Sequence, residues 1–233
     1  IGSYVRSMRE APLTLTTLAA LEPNQSEVEW KLVDGSIDRI PFEEHADLVG
    51  ISVITGTANE AYRIADRFRA RKIPVVLGGV HVSILPGEAI AHADSIVIGL
   101  AERMWPQLLD DFRKGRLKPV YRDEKPPDEY IAGVPPARRD LQRRSGYMMP
   151  DTLHATRGCK RTCDFCTVPV VWPHYLKRPV ADVIRDIRSI RGRLFCFNDV
   201  SLIDDVDYAR ELFTAMIPLK KKWGGLVTVD VSK

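Results

Sequence analysis

The chain has no apolar run approaching the roughly 18 residues that a membrane-spanning helix needs, and no charged-then-apolar leader opens it. Cysteine is scarce, at 4 in 233 residues, and this excludes a secreted disulfide framework. No large excess of either charge is present: 34 Lys and Arg against 31 Asp and Glu leave a net charge of +3, which argues against an extended nucleic-acid footprint. Lys220, Lys221 and Lys222 read as a solvated helix end rather than a binding patch. These absences place the expected site of action in the cytoplasm, with no membrane span and no nucleic-acid partner. An apolar content of 45% is enough to bury one or two cores.

Three of the four cysteines sit in one short run, Cys159-Lys-Arg-Thr-Cys163-Asp-Phe-Cys166. Spaced C-x-x-x-C-x-x-C, they put three thiolates on one loop, enough for three corners of an iron-sulfur cubane. Electron-carrier cubanes normally take four thiolates, so a three-thiolate loop leaves one iron open to a substrate or cofactor. The alternative is a structural zinc loop completed by His154 or His174, since zinc accepts three cysteines and a histidine. Cys196 lies in the apolar run Leu194-Phe-Cys-Phe197 and is expected to be a buried strand residue.

From Glu27 to Leu117 strands and helices alternate. Strands are expected at Val28–Val33, Leu48–Ile54, Pro74–Leu77 and Ser95–Ile98. Two amphipathic helices lie between or after them, with stripes Ala61, Ile64, Ala65, Phe68 and Met104, Leu108, Leu109, Phe112. This pattern predicts an α/β fold with a Rossmann-like, doubly wound parallel sheet, whose ligands sit beyond the carboxyl ends of the strands. Two of those ends carry Ser52-Val-Ile-Thr55-Gly56 and Gly78-Gly79-Val80-His81. Glycine pairs there admit a close backbone approach to a ligand, or are ordinary strand-to-helix turns. His81 reads as a polar loop residue.

Residues 118–150, with six prolines and the clusters Arg138-Arg139-Asp140 and Arg143-Arg144, read as a solvated linker. Residues 151–233 then show strand Thr152–Thr156, helix Val180–Ile190, strand Leu194–Phe197, a helix through Leu212, Phe213 and Met216, and strand Leu226–Val231. That is the opening part of a partial (β/α)6 barrel, whose loops at the carboxyl ends of the strands carry chemistry. The domains expected are therefore 1–117, a linker 118–150, and 151–233. The chain opens on Ile1 and closes after a strand-like run at Lys233, and it reads as an excised piece.

The cysteine run, with Phe165 before its last cysteine, resembles the radical S-adenosylmethionine (SAM) enzymes. Val49-Gly-Ile-Ser52 followed by Val76-Leu-Gly78-Gly79-Val80-His81, placed ahead of that run, is similar to the cobalamin (B12)-binding domain of one large subgroup of them. The resemblance implies a 4Fe-4S cluster on Cys159, Cys163 and Cys166, with SAM chelating the open iron beside Phe165. It further implies a cobalamin slot lined by Ser52, Thr55, Gly78, Gly79, Val80 and Gly99. Asp199, in Phe197-Asn-Asp199, stands where the family's F-x-D-D motif helps to orient the SAM amino group, with Val200 in place of the second acid; the alternative is a turn or helix-capping acid. The histidine loop D-x-H-x-x-G is absent, implying cobalamin without a protein histidine on cobalt, and Gly99-Leu-Ala-Glu102 replaces the family's G-E-G-E. Helix Leu13–Leu21 corresponds to the element after the first strand of such a domain, and that strand is missing before it.

The implied activity is that of a cobalamin-dependent radical SAM methyltransferase. It would act on a small-molecule or natural-product substrate at an unactivated carbon or phosphorus centre, through a 5'-deoxyadenosyl radical and methylcobalamin, with flavodoxin or ferredoxin as electron donor. Ring formation or rearrangement with the same cofactors is the second possibility, and a non-catalytic zinc-loop binding module the third.

Overall fold

A computed structural model describes residues 7–22, 24–124 and 131–227. In chain order its elements are β1 (Ser7–Glu10), α1 (Thr14–Ala20), β2 (Val49–Ser52), α2 (Ala58–Ala70), β3 (Val75–Gly78), α3 (Val80–Ile84), α4 (Pro86–Ala89), β4 (Ser95–Ile98), α5 (Ala101–Arg113) and β5 (Val120–Arg122). There follow β6 (Tyr147–Met149), β7 (Thr152–Leu153), β8 (Thr156–Arg157), α6 (Val168–Val171), β9 (Leu176–Lys177), α7 (Val180–Ser189), β10 (Leu194–Phe197), α8 (Val206–Met216) and β11 (Lys222–Gly225). The chain divides into two compact units, one of residues 21–24 and 39–126, the other of residues 1–20, 25–38 and 127–233.

The first unit is a four-stranded parallel sheet in the order β2-β3-β4-β5. Period-two alternation sorts its side chains. Val75, Leu77 and Ile96 join Ala61, Tyr62, Ala65 and Phe68 of α2 in one core. Gly50 points the other way, where an added Cβ would stand 3.4 Å from the Trp105 ring of α5. Helices thus cover both faces, the arrangement expected of a doubly wound sheet.

The second unit centres on three parallel strands in the order β11-β10-β7, with α7 and α8 over one face. Leu153, Phe195 and Phe197 pack there against Val183, Ile187, Tyr208 and Leu212, all nearly fully buried. This is the strand-helix-strand-helix-strand order read from the sequence.

Several expectations are corrected. Val28–Val33 forms no strand; its backbone has no strand partner, and the chain turns on Asp34, whose carboxylate accepts the Ser36 N–H at 2.9 Å and the Ser36 hydroxyl at 2.7 Å. Helix α1 and residues 25–38 group with the second unit, and Arg138 N–H donates to the Thr16 carbonyl at 3.0 Å. Ser7–Glu10 is a strand despite its polarity, because it pairs parallel with β6. Among the described residues the final strand is Lys222–Gly225, which was not expected: it pairs parallel with β10, and its Trp223 stacks on Phe213 at 4.9 Å and meets Phe197 edge-on at 5.5 Å, while Leu226 and Val227 lie outside it. Residues 228–231 of the expected strand lie outside the described residues.

The linker is not a free one. Its first residues form β5 on the sheet, where the buried Tyr121 donates to Asp111 at 3.1 Å. Its charges are not all solvated either. Arg139 is buried, and its Nη1 donates to Asp186 Oδ1 at 2.7 Å while Arg178 Nη1 reaches Asp186 Oδ2 at 3.0 Å.

The placement of these arginines follows from strand geometry. The Asp151 and Leu153 carbonyls accept N–H groups of Cys196 and Asn198, on the β10 side. Thr152 and His154 carbonyls therefore face the open edge of β7, and buried carbonyls need donors. Arg139 Nε supplies one to Thr152 at 3.0 Å and Arg178 Nη1 one to His154 at 2.9 Å. Asp186, 1% exposed, pairs one carboxylate oxygen with each guanidinium group.

Removing that carboxylate strands two buried cations, so Asp186→Ala should lower unfolding free energy by about 3 to 5 kcal/mol. Asp207→Ala, which breaks only the exposed pair with Arg210, should cost less than about 1 kcal/mol. Urea titration of the two variants measures the difference.

Candidate functional site

The three sequence-expected thiols lie together on one excursion, residues 158–175. Its base is closed by β8 and β9, which pair antiparallel with Thr156 opposite Lys177 and Arg157 opposite Leu176. All three are free thiols; Cys163 is exposed, and Cys159 and Cys166 are partly so. The Cys166 N–H donates to the Cys163 carbonyl at 3.0 Å and the Arg161 N–H reaches Cys159 Sγ at 3.4 Å. Burial pushes the Cys159 thiol above its ordinary range. Phe165, at the tip, is 90% exposed.

Gly158 opens the loop at φ +82°, and an added Cβ would overlap the His174 carbonyl oxygen. A glycine is required there on both counts. Past Cys159, the Lys160 N–H donates to Asp204 Oδ2 at 2.8 Å. Burial works to raise the Asp204 carboxyl, but hydrogen bonds from Ser201 and the Lys160 N–H hold it below the usual carboxylate range.

The donor set, three free thiols on one loop, fits three corners of a cubane. The two histidines that could have completed a zinc site are placed apart in character. His174 is exposed, while His154 has a buried Nδ1 that meets no hydrogen-bond partner among the described residues. Cys196 is a buried strand residue as expected, its Sγ donating to Glu10 Oε1 at 3.0 Å, and burial pushes its thiol up to about 12.

Asp199 is 1% exposed. Its carboxylate accepts the Ala155 N–H at 3.0 Å, the Thr156 N–H, and the Thr156 hydroxyl at 2.6 Å. Burial raises its pKa, against those same hydrogen bonds. It caps no helix; Asp205 does that for α8, accepting Tyr208 N–H at 3.0 Å. The run Asp204-Asp205 before an apolar helical stripe was the available signal for that cap.

In the first unit, the structure brings Ser52, Thr55, Gly78, Gly79, Val80 and Gly99 to the carboxyl ends of β2, β3 and β4. Ser52 and Gly78 are register partners. Gly79 has φ +101° and ψ −173°, and a Cβ on it would stand 2.8 Å from the Val53 carbonyl oxygen, 2.9 Å from its nitrogen and 3.1 Å from Ser52 Oγ. At Gly78 an added Cβ would meet only Val97, at 3.7 Å. Gly99, at φ +81°, has open space around it. One supporting residue, Ser83, was not singled out by sequence. Ser83 joins the two glycine turns, donating to the Gly79 carbonyl and accepting the Gly99 N–H, both at 2.9 Å. His81 is no loop residue: it lies on α3, 4% exposed, with Nδ1 3.3 Å from Thr55 Oγ1 and Nε2 3.4 Å from Glu88 Oε1.

A three-thiol loop leaving the first strand of a parallel strand-helix unit, placed in the chain after a doubly wound sheet with glycine-edged strand ends, defines the class of radical SAM proteins that carry a B12-binding domain. Comparison with known proteins agrees. Residues 21–109 match the B12 binding domain family. The chain is 41% identical to the bacteriochlorophyllide d C-8(2)-methyltransferase of Chlorobaculum tepidum over 67% of this chain and 36% of that protein. It is 30% identical to the bacteriochlorophyllide d C-12(1)-methyltransferase of the same organism over 94% of this chain and 50% of that one. The radical S-adenosylmethionine methyltransferase TsrM of Kitasatospora setae, solved with tryptophan and a SAM analogue, shares the fold at a TM-score of 0.70 and 18% identity, covering 91% of this chain and 49% of that one. The chain therefore spans at most half the length of these relatives. The chain thus resembles radical SAM methyltransferases that carry a B12 binding domain. Among the described residues no helix is long and apolar enough to cross a membrane.

The glycines rank by geometry. Gly79→Ala should lose about 3 kcal/mol or more in urea unfolding, from strain and overlap together; Gly99→Ala should lose about 1 kcal/mol from strain alone, and Gly78→Ala least. An equal loss at all three positions contradicts this order.

His154 supplies a pH signature. Burial, aided by the Arg157 and Arg178 charges, holds its pKa well below 6.5, so the folded ring is neutral. The unfolded chain takes up that proton near pH 6.5, so the ring's contribution is complete above that pH and is lost as pH falls below it. Urea midpoints between pH 7.5 and 5 should therefore fall with acid, and fall less steeply in His154→Phe.

Proposed function

We propose that this chain forms the cobalamin-binding and cluster-binding part of a radical SAM methyltransferase acting on an unactivated carbon or phosphorus centre of a small molecule, in the cytoplasm. The observation that carries this reading is the three-thiol excursion at the carboxyl end of β7, on a chain whose residues 21–109 match the B12 binding domain family. When bound, the cluster with SAM supplies the 5'-deoxyadenosyl radical, and cobalamin supplies the methyl group.

The chain's own residues have simpler tasks. Cys159, Cys163 and Cys166 each hold one iron, leaving the fourth for SAM, and Phe165 presents its ring beside them. Asp199 is the one sequence-expected SAM residue whose carboxylate is already engaged by backbone. Ser52, Thr55, Gly78, Gly79, Val80 and Gly99 line the cobalamin slot, where the bare backbone of Gly79 lets the turn close on Val53 and the space around Gly99 is open. Flavodoxin or ferredoxin delivers the electron. Methyl transfer is preferred over ring formation or rearrangement because the relatives just described carry methyltransferase names.

The test uses SAM and hydroxocobalamin as probes. After anaerobic reconstitution, the protein should hold about four irons per chain, show an electron paramagnetic resonance signal that changes on adding SAM, and retain hydroxocobalamin through gel filtration. Alanine at Cys159, Cys163 or Cys166 should remove the iron, while Cys196→Ala should keep it. A colourless protein that binds zinc would point instead to the non-catalytic module.

A further inference from the structure

The loop between β10 and α8, residues 198–205, touches the cysteine excursion on both sides of its first ligand. Upstream, Asp199 takes the N–H of Ala155 at 3.0 Å, the N–H of Thr156, and the Thr156 hydroxyl at 2.6 Å. Downstream, Asp204 takes the N–H of Lys160 at 2.8 Å and is itself held by the Ser201 hydroxyl at 2.6 Å. Between these two anchors lie only Arg157, Gly158 and Cys159. Gly158 is fixed in the left-handed region with no room for a side chain, so the Cα of Cys159 has little freedom left.

The chemistry of Asp199 decides how it can act. A carboxylate has about four lone-pair sites. Backbone and hydroxyl donors on β8 and the residue before it already occupy Oδ1, Oδ2 lies 3.2 Å from the Ala155 nitrogen, and the side chain is 1% exposed. Oδ2 keeps acceptor capacity, but at 1% exposure the carboxylate offers a ligand ammonium group no open approach, and its charge-assisted bonds hold it toward β8.

We propose that Asp199 and Asp204 are positioning residues that clamp the cysteine loop from the β10–α8 loop, setting the place of Cys159, and that Asp199 acts on the cluster through this backbone clamp and not by binding the SAM amino group. The proposal rests on the reading of Cys159, Cys163 and Cys166 as cluster ligands.

The experiment measures iron release from the reconstituted protein to bathophenanthroline, together with the SAM-dependent change in the electron paramagnetic resonance signal. The variants are Asp199→Asn, Asp204→Asn, Thr156→Val and Thr156→Ser. The first three weaken or remove a clamp bond and should release iron roughly tenfold faster, the factor expected for one lost hydrogen bond to a charged group. Thr156→Ser keeps the hydroxyl and should release iron at the parent rate. The cluster that remains in Asp199→Asn should still respond to SAM as the parent does. Parent-like iron release with a lost SAM response in Asp199→Asn overturns the proposal in favour of direct SAM contact, and parent-like behaviour in all four variants overturns it outright. A parent protein that assembles no cluster refutes the underlying reading instead, so the two failures are distinct.

Discussion

The open edge of β7 is the constraint from which the second unit is built. A parallel strand that pairs on one side only leaves every second carbonyl facing away, and here those carbonyls belong to Thr152 and His154, the last residues before the chain turns toward the cysteines. Arg139 and Arg178 satisfy them, and Asp186 between the guanidinium groups makes two buried cations tolerable. Each of the three comes from a different stretch: the proline-rich connector, the residue after β9, and α7. The triad therefore ties connector, excursion base and helix to the strand that delivers the cysteines. A buried ion pair is weak evidence for net stability, but it is strong at fixing which groups sit side by side, and that is what a metal-ligating loop needs.

Much of this was legible in the sequence, and the reasons are local. The strand Ser95–Ile98 and the strand Leu194–Phe197 were read with their observed bounds, because short continuous β-rich runs flanked by turn residues permit little else. Helices α2, α5, α7 and α8 follow from stripes at helical spacing. The thiol loop was plain from spacing alone. What was not legible depends on partners distant in sequence. Val28–Val33 has strand chemistry, yet among the described residues it joins no sheet. Ser7–Glu10 lacks that chemistry but pairs with β6. Arg139 looked like solvated charge because nothing near it in sequence announces Asp186, 47 positions away. Strand Lys222–Gly225 was not legible because it is set by pairing with β10 and by the packing of Trp223, whereas β-propensity mainly measures how a side chain fits its cross-strand neighbours.

The candidate site residues show the same division. Their positions at strand ends could be inferred from topology, whereas their hydrogen-bond partners could not. His81 is the clearest case: exposure tendencies favour a surface histidine, yet α3 turns its ring inward between Thr55 and Glu88. Asp199 is another, since its motif suggests a ligand contact while the fold surrounds it with backbone donors.

Both strand-end regions are built by one device repeated in two unrelated loops. In each, a glycine at positive φ lets the backbone turn where a Cβ would collide, Gly79 against Val53 and Gly158 against His174. In each, a side chain then bonds the turn's own backbone: Ser83, on the helix α3 that follows Gly79, joins Gly79 to Gly99, and the Asp199–Asp204 pair of the β10–α8 loop brackets Cys159. The residues that would meet a cofactor directly, Ser52, Thr55, Cys163 and Phe165, are left exposed. Buried polar groups thus hold the backbone, and exposed groups face outward for the ligand. A loop ordered beforehand loses less conformational freedom when its ligand binds. This division of labour explains why the buried Asp199 and the exposed Phe165 can belong to one site and still be unlike in every physical property.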